Sequence, residues 1–478
     1  MMYALVSLSV PLLCALLLTL AGSGLKNRHA GQITIVCSAV SLIAAWFALA
    51  EVAALAQPVL INLGGWETGL AIRLRLNPLS SLLLVFTAFM HVLIGLYAGF
   101  SRQGASRDFW PLSSFLHGSL AALWLSADLF NLYITLELLG LTAVAMVALA
   151  GKKAYKPAAN YLILSLVASL FYLLGVALVY GRYGSLDVVL LSLQTRSDLI
   201  TRIALLMMTA GLMLKAALWP LHLWLPAAHA NAPTAVSALL SGLVVKGPLF
   251  ILFLLWSEVA PVDLAQQIGP VLAVAGMIAL VAGGVSAMRS PYIKTLVAYS
   301  TVAQLGYAMM ALGLLLTWQL PQMHVALWLF VIAHGLAKAT LFLAAGEMQT
   351  TLGTKRVSGL RGATQTVPVA MFAFAVAGGS LIGLPPSGGF LAKWVLLEPL
   401  LSQPQNWPWA FGVLLGTLVS AAYIFRVVAI SFDRARINPP DVRPDRLGHW
   451  LALLPALMVW GMALVGEWLI ALLAGGGV

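Results

Sequence analysis

The sequence predicts an all-α protein that crosses a membrane many times, as a single transmembrane domain over residues 1–478. Composition is the first reason: 61% of the 478 residues are hydrophobic and only 9% are charged. A soluble domain has about 45–50% apolar and about 25% charged residues, whereas a chain surrounded by lipid needs no charged covering. The net charge of +11 does not indicate nucleic-acid binding, because the basic residues stand singly between apolar runs instead of forming a patch.

Long apolar stretches are the second reason, since a helix needs about 20 apolar residues to cross a bilayer. Fourteen stretches qualify. They are 3–22, 33–56, 78–100, 110–127, 129–150, 159–181, 203–228, 234–256, 268–288, 295–316, 322–345, 367–398, 408–431 and 449–473. The first resembles a signal peptide in length, but no basic residue precedes it and no clear small-residue cleavage site follows. We therefore expect it to be a helix of the protein.

The distribution of basic residues predicts the orientation, because inner loops of membrane proteins are enriched in Lys and Arg. With the N-terminus outside, the inner connections carry fifteen basic residues and the outer ones five. The inner residues are Lys26, Arg28, Arg102, Arg107, Lys152, Lys153, Lys156, Arg289, Lys355, Arg356, Arg361, Arg434, Arg436, Arg443 and Arg446; the outer ones are Arg73, Arg75, Arg182, Arg196 and Arg202. This asymmetry predicts both termini outside, on the periplasmic side of a bacterial cytoplasmic (inner) membrane.

Two of the spans contain helix-breaking residues. Span seven has three prolines between positions 220 and 233, and span twelve contains the sequence PPSGG at 385–389. Proline removes a backbone donor and clashes with the preceding turn, so both helices should be interrupted within the membrane. The breaks are five spans apart, which favours two inverted five-helix repeats, 110–256 and 268–431, over two unrelated kinks.

Several ionisable side chains lie within or beside the predicted spans, where each Lys or Asp costs about 2.5–3.5 kcal/mol at a helix centre. They are Glu137, Lys215, Lys246, His334, Lys338 and Lys393. Of the acids, Glu137 is the only one that the sequence places deep within a span. His334 and Lys338 are four residues apart and so share one helix face.

A buried Glu–Lys pair can serve as a proton gate, because desolvation lowers the pKa of a lysine and a nearby carboxylate raises it. A static ion pair that fixes helix packing is the alternative for a single pair. Six ionisable groups spread over five spans, two of them interrupted, favour a proton path instead. His222 and His229 flank the break in span seven, where they either relay protons or cap the helix. Lys294 either snorkels to the headgroups or belongs to the path.

Cofactor motifs are not found. The sequence contains no GxGxxG after a strand, no GxxxxGK[ST], no CxxC cluster and no paired histidines typical of haem. We therefore expect no cofactor and no metal site. The driving force, whether redox chemistry or an ion gradient, must come from other subunits.

Four stretches carry a family resemblance: 128–141 (DLFNLYITLELLGL), 212–248 (LMLKAALWPLHLWLPAAHANAPTAVSALLSGLVVKGP), 293–310 (IKTLVAYSTVAQLGYAMM) and 334–346 (HGLAKATLFLAAG). They resemble the antiporter-like membrane subunits of proton-pumping NADH:quinone oxidoreductase (complex I), Mrp-type multisubunit cation/proton antiporters and membrane-bound hydrogenases. The resemblance covers spans four to thirteen. It implies fourteen helices, two inverted repeats and broken helices seven and twelve.

The resemblance also implies roles for individual residues. Glu137 corresponds to the family's glutamate of helix five, and Lys215 to its partner lysine on helix seven. Lys246 corresponds to the connecting lysine of helix eight, His334 and Lys338 to the relay on helix eleven, and Lys393 to the terminal residue of helix twelve. All are present in this sequence, which implies a chain competent for proton transfer within a larger membrane complex.

The residues around Glu137 most resemble the D-type subunit of Mrp-type antiporters, in which Na+ or another cation would move against protons. Lys393 stands where the middle antiporter-like subunit of complex I typically has glutamate, which disfavours that subunit. The smallest antiporter-like subunit of complex I and a hydrogenase-linked homologue stay open. Two different classes of function are also considered: an enzyme subunit that binds quinone, which no motif supports, and a purely structural membrane scaffold.

Overall fold

The computed structural model describes residues 1–55, 57–65, 72–433 and 445–475, so that Arg434, Arg436 and Arg443 of the predicted inner connections lie outside the described residues. The α-helices are α1 (Met2–Ala21), α2 (Asn27–Leu55), α3 (Pro78–Phe100), α4 (Phe109–Leu125), α5 (Leu129–Ala148), α6 (Lys152–Tyr183), α7 (Val188–Gln194), α8 (Leu199–Lys215), α9 (Trp224–Asn231), α10 (Thr234–Leu239), α11 (Lys246–Leu254), α12 (Val262–Arg289), α13 (Ile293–Trp318), α14 (Pro321–Leu352), α15 (Ala363–Thr366), α16 (Pro368–Ile382), α17 (Gly388–Leu401), α18 (Trp407–Phe432), α19 (Arg446–Gly461) and α20 (Gly466–Gly475). Short 3-10 turns lie at Gly22–Gly24, Val357–Leu360, Pro404–Asn406 and Met462–Val465, and π-helical turns at Leu240–Val244 and Leu255–Val259.

The predicted all-α membrane fold is confirmed. Within the described ranges, eleven helical segments are long and apolar enough to cross a membrane. The other three predicted spans are helical too: span four is the 17-residue α4, span seven consists of α8 and α9, and span twelve of α16 and α17. The number of fourteen crossings stays a prediction.

Both predicted helix interruptions are present. Helix α8 ends at Lys215 and α9 begins at Trp224, while α16 ends at Ile382 and α17 begins at Gly388. Gly383, which follows α16, has a φ of 92°, a left-handed conformation that glycine adopts without strain. The Trp224 indole donates a hydrogen bond of 2.8 Å to the Leu214 carbonyl at the first break. Side chains of the protein thus satisfy backbone groups that lipid could not.

A short antiparallel hairpin of β1 (Val59–Leu63) and β2 (Ile72–Leu76) departs from the all-helical prediction. In β2 the apolar and basic residues alternate, the period of a strand with one buried face. Arg75 forms a bidentate ion pair with Glu258, with N–O distances of 2.6 and 2.8 Å. Arg73 lies 3.0 Å from Asp187. Two basic residues that the sequence assigned to topology therefore also anchor this hairpin to the helices.

Glycines bring α12 and α13 into close contact over most of their lengths. A Cβ added to Gly276 would lie 2.5 Å from the Gly306 carbonyl oxygen, and one on Gly306 would lie 2.5 Å from the Gly276 oxygen. Gly283 faces Ala303 in the same manner, seven residues further along α12. Such small residues let membrane helices approach closely, where van der Waals contact replaces the missing hydrophobic drive.

The substitution Gly276→Val is expected to separate α12 from α13 and destabilise the protein by about 2 kcal/mol, the range of overpacking in a tight interface. Thermal unfolding in detergent, followed by tryptophan fluorescence, measures the loss as a lowered Tm. Gly181→Val is the matched control, because nothing lies within 4 Å of a Cβ at that position. Equal Tm values for the two variants would contradict the close-packing interpretation.

Candidate functional site

The structure brings Glu137 and Lys215 together from α5 and α8. The Lys215 ammonium donates a hydrogen bond of 2.5 Å to Glu137 Oε1, and the Ser169 hydroxyl of α6 donates to the same oxygen. The side chains are 4% exposed for Lys215 and 17% for Glu137. Lys215 also occupies the last turn of α8, where the helix dipole stabilises a cation. The pairing expected from sequence is therefore present as a direct contact.

The local sequence positions Glu137 firmly. Helix α5 begins after Asp128, whose carboxylate accepts hydrogen bonds from the Phe130 and Asn131 amides at 2.9 and 2.8 Å. Asp128 is thus the N-cap of this helix. Burial raises the pKa of Asp128, and its two backbone hydrogen bonds act in the opposite direction.

Lys246 begins α11 directly after a π-helical turn. Its ammonium is buried and donates to the carbonyl of Ser241, a residue in that turn. The Ser241 hydroxyl lies 2.9 Å from the Thr301 hydroxyl of α13. π-helical turns often occur at functional sites, because they free a backbone carbonyl from the helix ladder. Here the freed carbonyl receives the lysine, for which no carboxylate partner lies within salt-bridge distance in the described chain.

His334 and Lys338 lie on α14 and are both buried, at 1% and 0% exposure. Lys338 donates to the Ser300 hydroxyl and, at 3.0 Å, to the Val297 carbonyl, both on α13. Neither ring nitrogen of His334 has a hydrogen-bond partner among the described residues. Lys246 lies within electrostatic range of both side chains.

Lys393 of α17 reaches back across the second break. Its ammonium donates to the carbonyls of Leu381 and Ile382 at 2.9 and 3.0 Å and to the Thr417 hydroxyl at 3.2 Å. It also lies 4.3 Å above the centre of the Tyr307 ring, a cation–π geometry. The two carbonyls end α16, so the ammonium occupies the negative end of a half-helix.

Gln304 connects the surroundings of Lys338 and Lys393, and sequence reasoning missed it. It follows Ser300 by one turn of α13, and its Nε2 donates to the Leu381 carbonyl, at 3.4 Å, that Lys393 also contacts. The same Nε2 lies 2.9 Å from the Ser420 hydroxyl and 3.1 Å from the Tyr423 hydroxyl. The sequence signal that could have identified it is a glutamine within an apolar span.

The remaining candidates are His222, His229 and Lys294. His229 is fully buried, stacks on Phe342 at 4.5 Å, and has no partner for either ring nitrogen in the described residues. His222 is half-buried and meets Tyr299 edge-on at 6.4 Å. Lys294 does not snorkel to the headgroups, since it is 6% exposed and donates to the Ala232 carbonyl at 3.0 Å.

The structure also buries an acid that sequence reasoning missed. Glu347, near the C-terminal end of α14, is 1% exposed. It accepts hydrogen bonds from the Tyr97 hydroxyl at 2.5 Å and from Gln103 at 3.2 Å. The predicted span ended at 345, two residues before Glu347. Burial by α3 and α19 places it inside.

Metal or cofactor ligands are sparse in this arrangement. Among the described residues, no group of three or more His, Cys, Asp or Glu side chains is placed to hold a metal ion. What the line of side chains can do is accept, hold and pass protons, because its members are amines, imidazoles, carboxylates and hydroxyls. The expected lack of a cofactor stays a prediction.

Comparison with known proteins identifies the family. Residues 126–419 match the family described as "NADH:quinone oxidoreductase/Mrp antiporter, TM". The N-type subunit of NADH-quinone oxidoreductase from Desulforudis audaxviator is 32% identical over 437 residues, which cover 87% of this chain and 86% of that protein. The D-type subunit of the Na(+)/H(+) antiporter from Alkalihalophilus pseudofirmus is 27% identical, over 70% of this chain and 69% of that protein.

The fold has a solved counterpart. A chain of the Mrp complex from Dietzia sp. matches with a TM-score of 0.90 at 22% identity, covering 100% of this chain and 97% of that chain. The family match spans more than half of the sequence, and the 32% identity extends over most of it. The chain therefore belongs to the NADH:quinone oxidoreductase/Mrp antiporter transmembrane family.

Proposed function

We propose that this chain is a proton-translocating, antiporter-like subunit of a multisubunit membrane complex, most like the D-type subunit of an Mrp-type cation/proton antiporter. The observation that supports this most is the line of buried lysines, each held by neutral groups or by one carboxylate. Lys246 and Lys338 have only carbonyl and hydroxyl partners in the described structure. Charged groups held so weakly in a bilayer mark ion pathways.

In this mechanism Glu137 and Lys215 form the gate. While the two are paired, the carboxylate holds the Lys215 proton and screens its charge from the next lysine. When they separate, the Lys215 charge acts unscreened on Lys246, and the low dielectric of the interior makes that repulsion strong. A proton then leaves Lys246 along the line.

The relay continues from Lys246 through His334 and Lys338 to Lys393. Ser300 and Gln304 provide hydroxyl and amide groups between the last two lysines. The unpaired ring nitrogens of His334 suit bridging water, which pairs with buried polar groups in proteins. Lys393, held by carbonyls at the second break, is the last proton carrier of the relay.

We further propose the positive-inside orientation, two inverted repeats over 110–256 and 268–431, and a bacterial cytoplasmic membrane location for this multi-pass protein. Contacts between connections support the alternation of sides. Asn27 donates to the Ala105 carbonyl and Gln103 to Glu347, so three predicted inner connections meet. Arg73 and Asp187, from two predicted outer connections, pair with each other.

The host complex distinguishes the main proposal from its alternative, a proton-pumping subunit of complex I or of a membrane-bound hydrogenase type complex. The alternative is supported by the 32% identity to a protein named as the N-type subunit of NADH-quinone oxidoreductase. Purification of the intact complex from native membranes separates them: small membrane subunits alone indicate an antiporter, and co-purifying iron–sulfur subunits indicate a redox-driven pump. Other membrane subunits are partners in either case.

Glu137→Gln and Lys215→Ala test the gate. In inverted membrane vesicles that contain the assembled complex, each is expected to lower the initial rate of ion-coupled proton transport about tenfold, a typical coupling between sites. Lys152→Ala, on the exposed start of α6, is the control and should transport at the wild-type rate. Wild-type rates for both gate variants would refute the gate.

A further inference from the structure

A cavity of about 400 Å³, open toward the predicted inner surface, lies next to the two residues that donate hydrogen bonds to Glu347. Tyr97 and Gln103, the two donors to the Glu347 carboxylate, both line this cavity. Lys294 lines it from the other side. The cavity thus connects the acid with the buried part of the candidate proton path.

The groups around Glu347 are suited to proton exchange. His449 Nε2 of α19 lies 3.5 Å from Glu347 Oε2, is buried, and has no hydrogen-bond partner among the described residues. Asp445 adds a second carboxylate close to the first. Both Asp445 Oδ2 and Glu347 Oε1 lie beside Gly448, at 2.8 and 2.9 Å from the position that a Cβ on this glycine would occupy. Tyr97 of α3 is a further titratable neighbour. An unpaired imidazole beside a hydrogen-bonded carboxylate allows a proton to be accepted and passed on.

Two basic side chains, Lys294 and His229, lie further inward from the cavity. Lys294 donates to the Ala232 carbonyl, just after the helix that carries His229. The His229 ring lies within electrostatic range of Lys294, Lys338 and Lys246. Glu347 itself precedes the cytoplasmic end of α14, nine residues and about 13 Å beyond Lys338 at about 1.5 Å per residue.

We propose that Glu347, with Tyr97 as its hydrogen-bond donor and His449 beside it, takes up protons at the inner mouth of the path and passes them through the cavity toward Lys294 and His229. This inference rests on the proposed function of the chain as a proton translocator. No covalent step is involved: a proton moves from water to the carboxylate and on to the next base.

The test is Glu347→Gln, which keeps the size of the side chain and an acceptor for Tyr97 but cannot carry a proton. The assay uses inverted vesicles with the assembled complex, in which the inner face of the membrane is exposed to the external medium. The initial transport rate is expected to fall about tenfold when that medium is at about pH 8. At about pH 6 the rate should recover, because direct protonation from water replaces the acid. Glu398→Gln, an exposed carboxylate on α17, is the matched control and should follow the wild-type profile.

A Glu347→Gln rate within twofold of wild type (about 0.4 kcal/mol) at every pH would overturn the inference, and so would a fall by one common factor at every pH, which indicates a structural acceptor. Tyr97→Phe gives the same test if the Glu347→Gln chain does not accumulate: we expect about a threefold fall confined to high pH, and a wild-type profile would overturn the inference. Glu137→Gln should be slow at every pH. If it transports normally, the proposed function itself fails.

Discussion

Replacing Lys338 by methionine is expected to abolish proton transport, with a fall in rate of about a hundredfold in vesicles that contain the assembled complex. Methionine has a similar length and no charge, so helix packing is retained while the proton carrier is lost. Lys338 is fully buried and contacts Ser300 and the Val297 carbonyl on the neighbouring helix. No other lysine on α14 could replace it, because it is the only one in that helix.

Lys355→Met is the matched control for this variant, because Lys355 is exposed just beyond the end of α14. Its transport rate should equal that of the wild type. The comparison also tests the scaffold hypothesis, under which a neutral side chain at position 338 is tolerated. A Lys338→Met rate within about threefold of wild type, with normal assembly, would favour the scaffold.

Removal of the Glu258 carboxylate is expected to give the largest loss of stability, about 3 kcal/mol for Glu258→Ala. Arg75 and Glu258 are 15% and 11% exposed and share two hydrogen bonds. Without the carboxylate, the Arg75 guanidinium stays largely buried with its charge uncompensated, which is the costly outcome for a buried pair. The hairpin would also lose its attachment to the segment after α11.

Thermal unfolding of the purified protein measures this effect as a lowered Tm. Arg182→Ala is the control, because its ion pair with Asp198 is exposed, at 42% and 30%, and solvent screens such pairs so that they contribute little to stability. The Thr201 backbone and the Arg182 guanidinium hold the pKa of Asp198 down to about 2. That contribution is therefore present above the ordinary pKa of an aspartate and disappears only as the pH falls toward about 2. Equal Tm values for Glu258→Ala and Arg182→Ala would contradict the prediction.

Much of the fold was predictable because lipid imposes simple rules on a sequence. Apolar length located the spans, and proline and glycine located both helix breaks, since backbone geometry at those residues is a local property. The β-hairpin was missed, because a five-residue alternating segment is short and lies between much stronger apolar signals. Glu347 was missed for a related reason: it stands just past the apolar run, and only packing by α3 and α19 buries it.

The candidate site was likewise predicted only in part from the sequence. By itself the sequence determined that this is a membrane protein and which ionisable residues stand within apolar runs, because a charge in lipid is conspicuous wherever it occurs. The resemblance already implied Glu137 as the partner of Lys215. Only the tertiary structure decided the other partners, which are the Ser241 carbonyl for Lys246 and the end of α16 for Lys393. Periodicity assigns a residue to one face of its own helix, whereas a hydrogen bond between helices depends on how deep each helix lies and how it is rotated in the bundle. Those two quantities are set by packing, and so the polar line, including Gln304 and the Glu347 cavity, exists only in the folded chain.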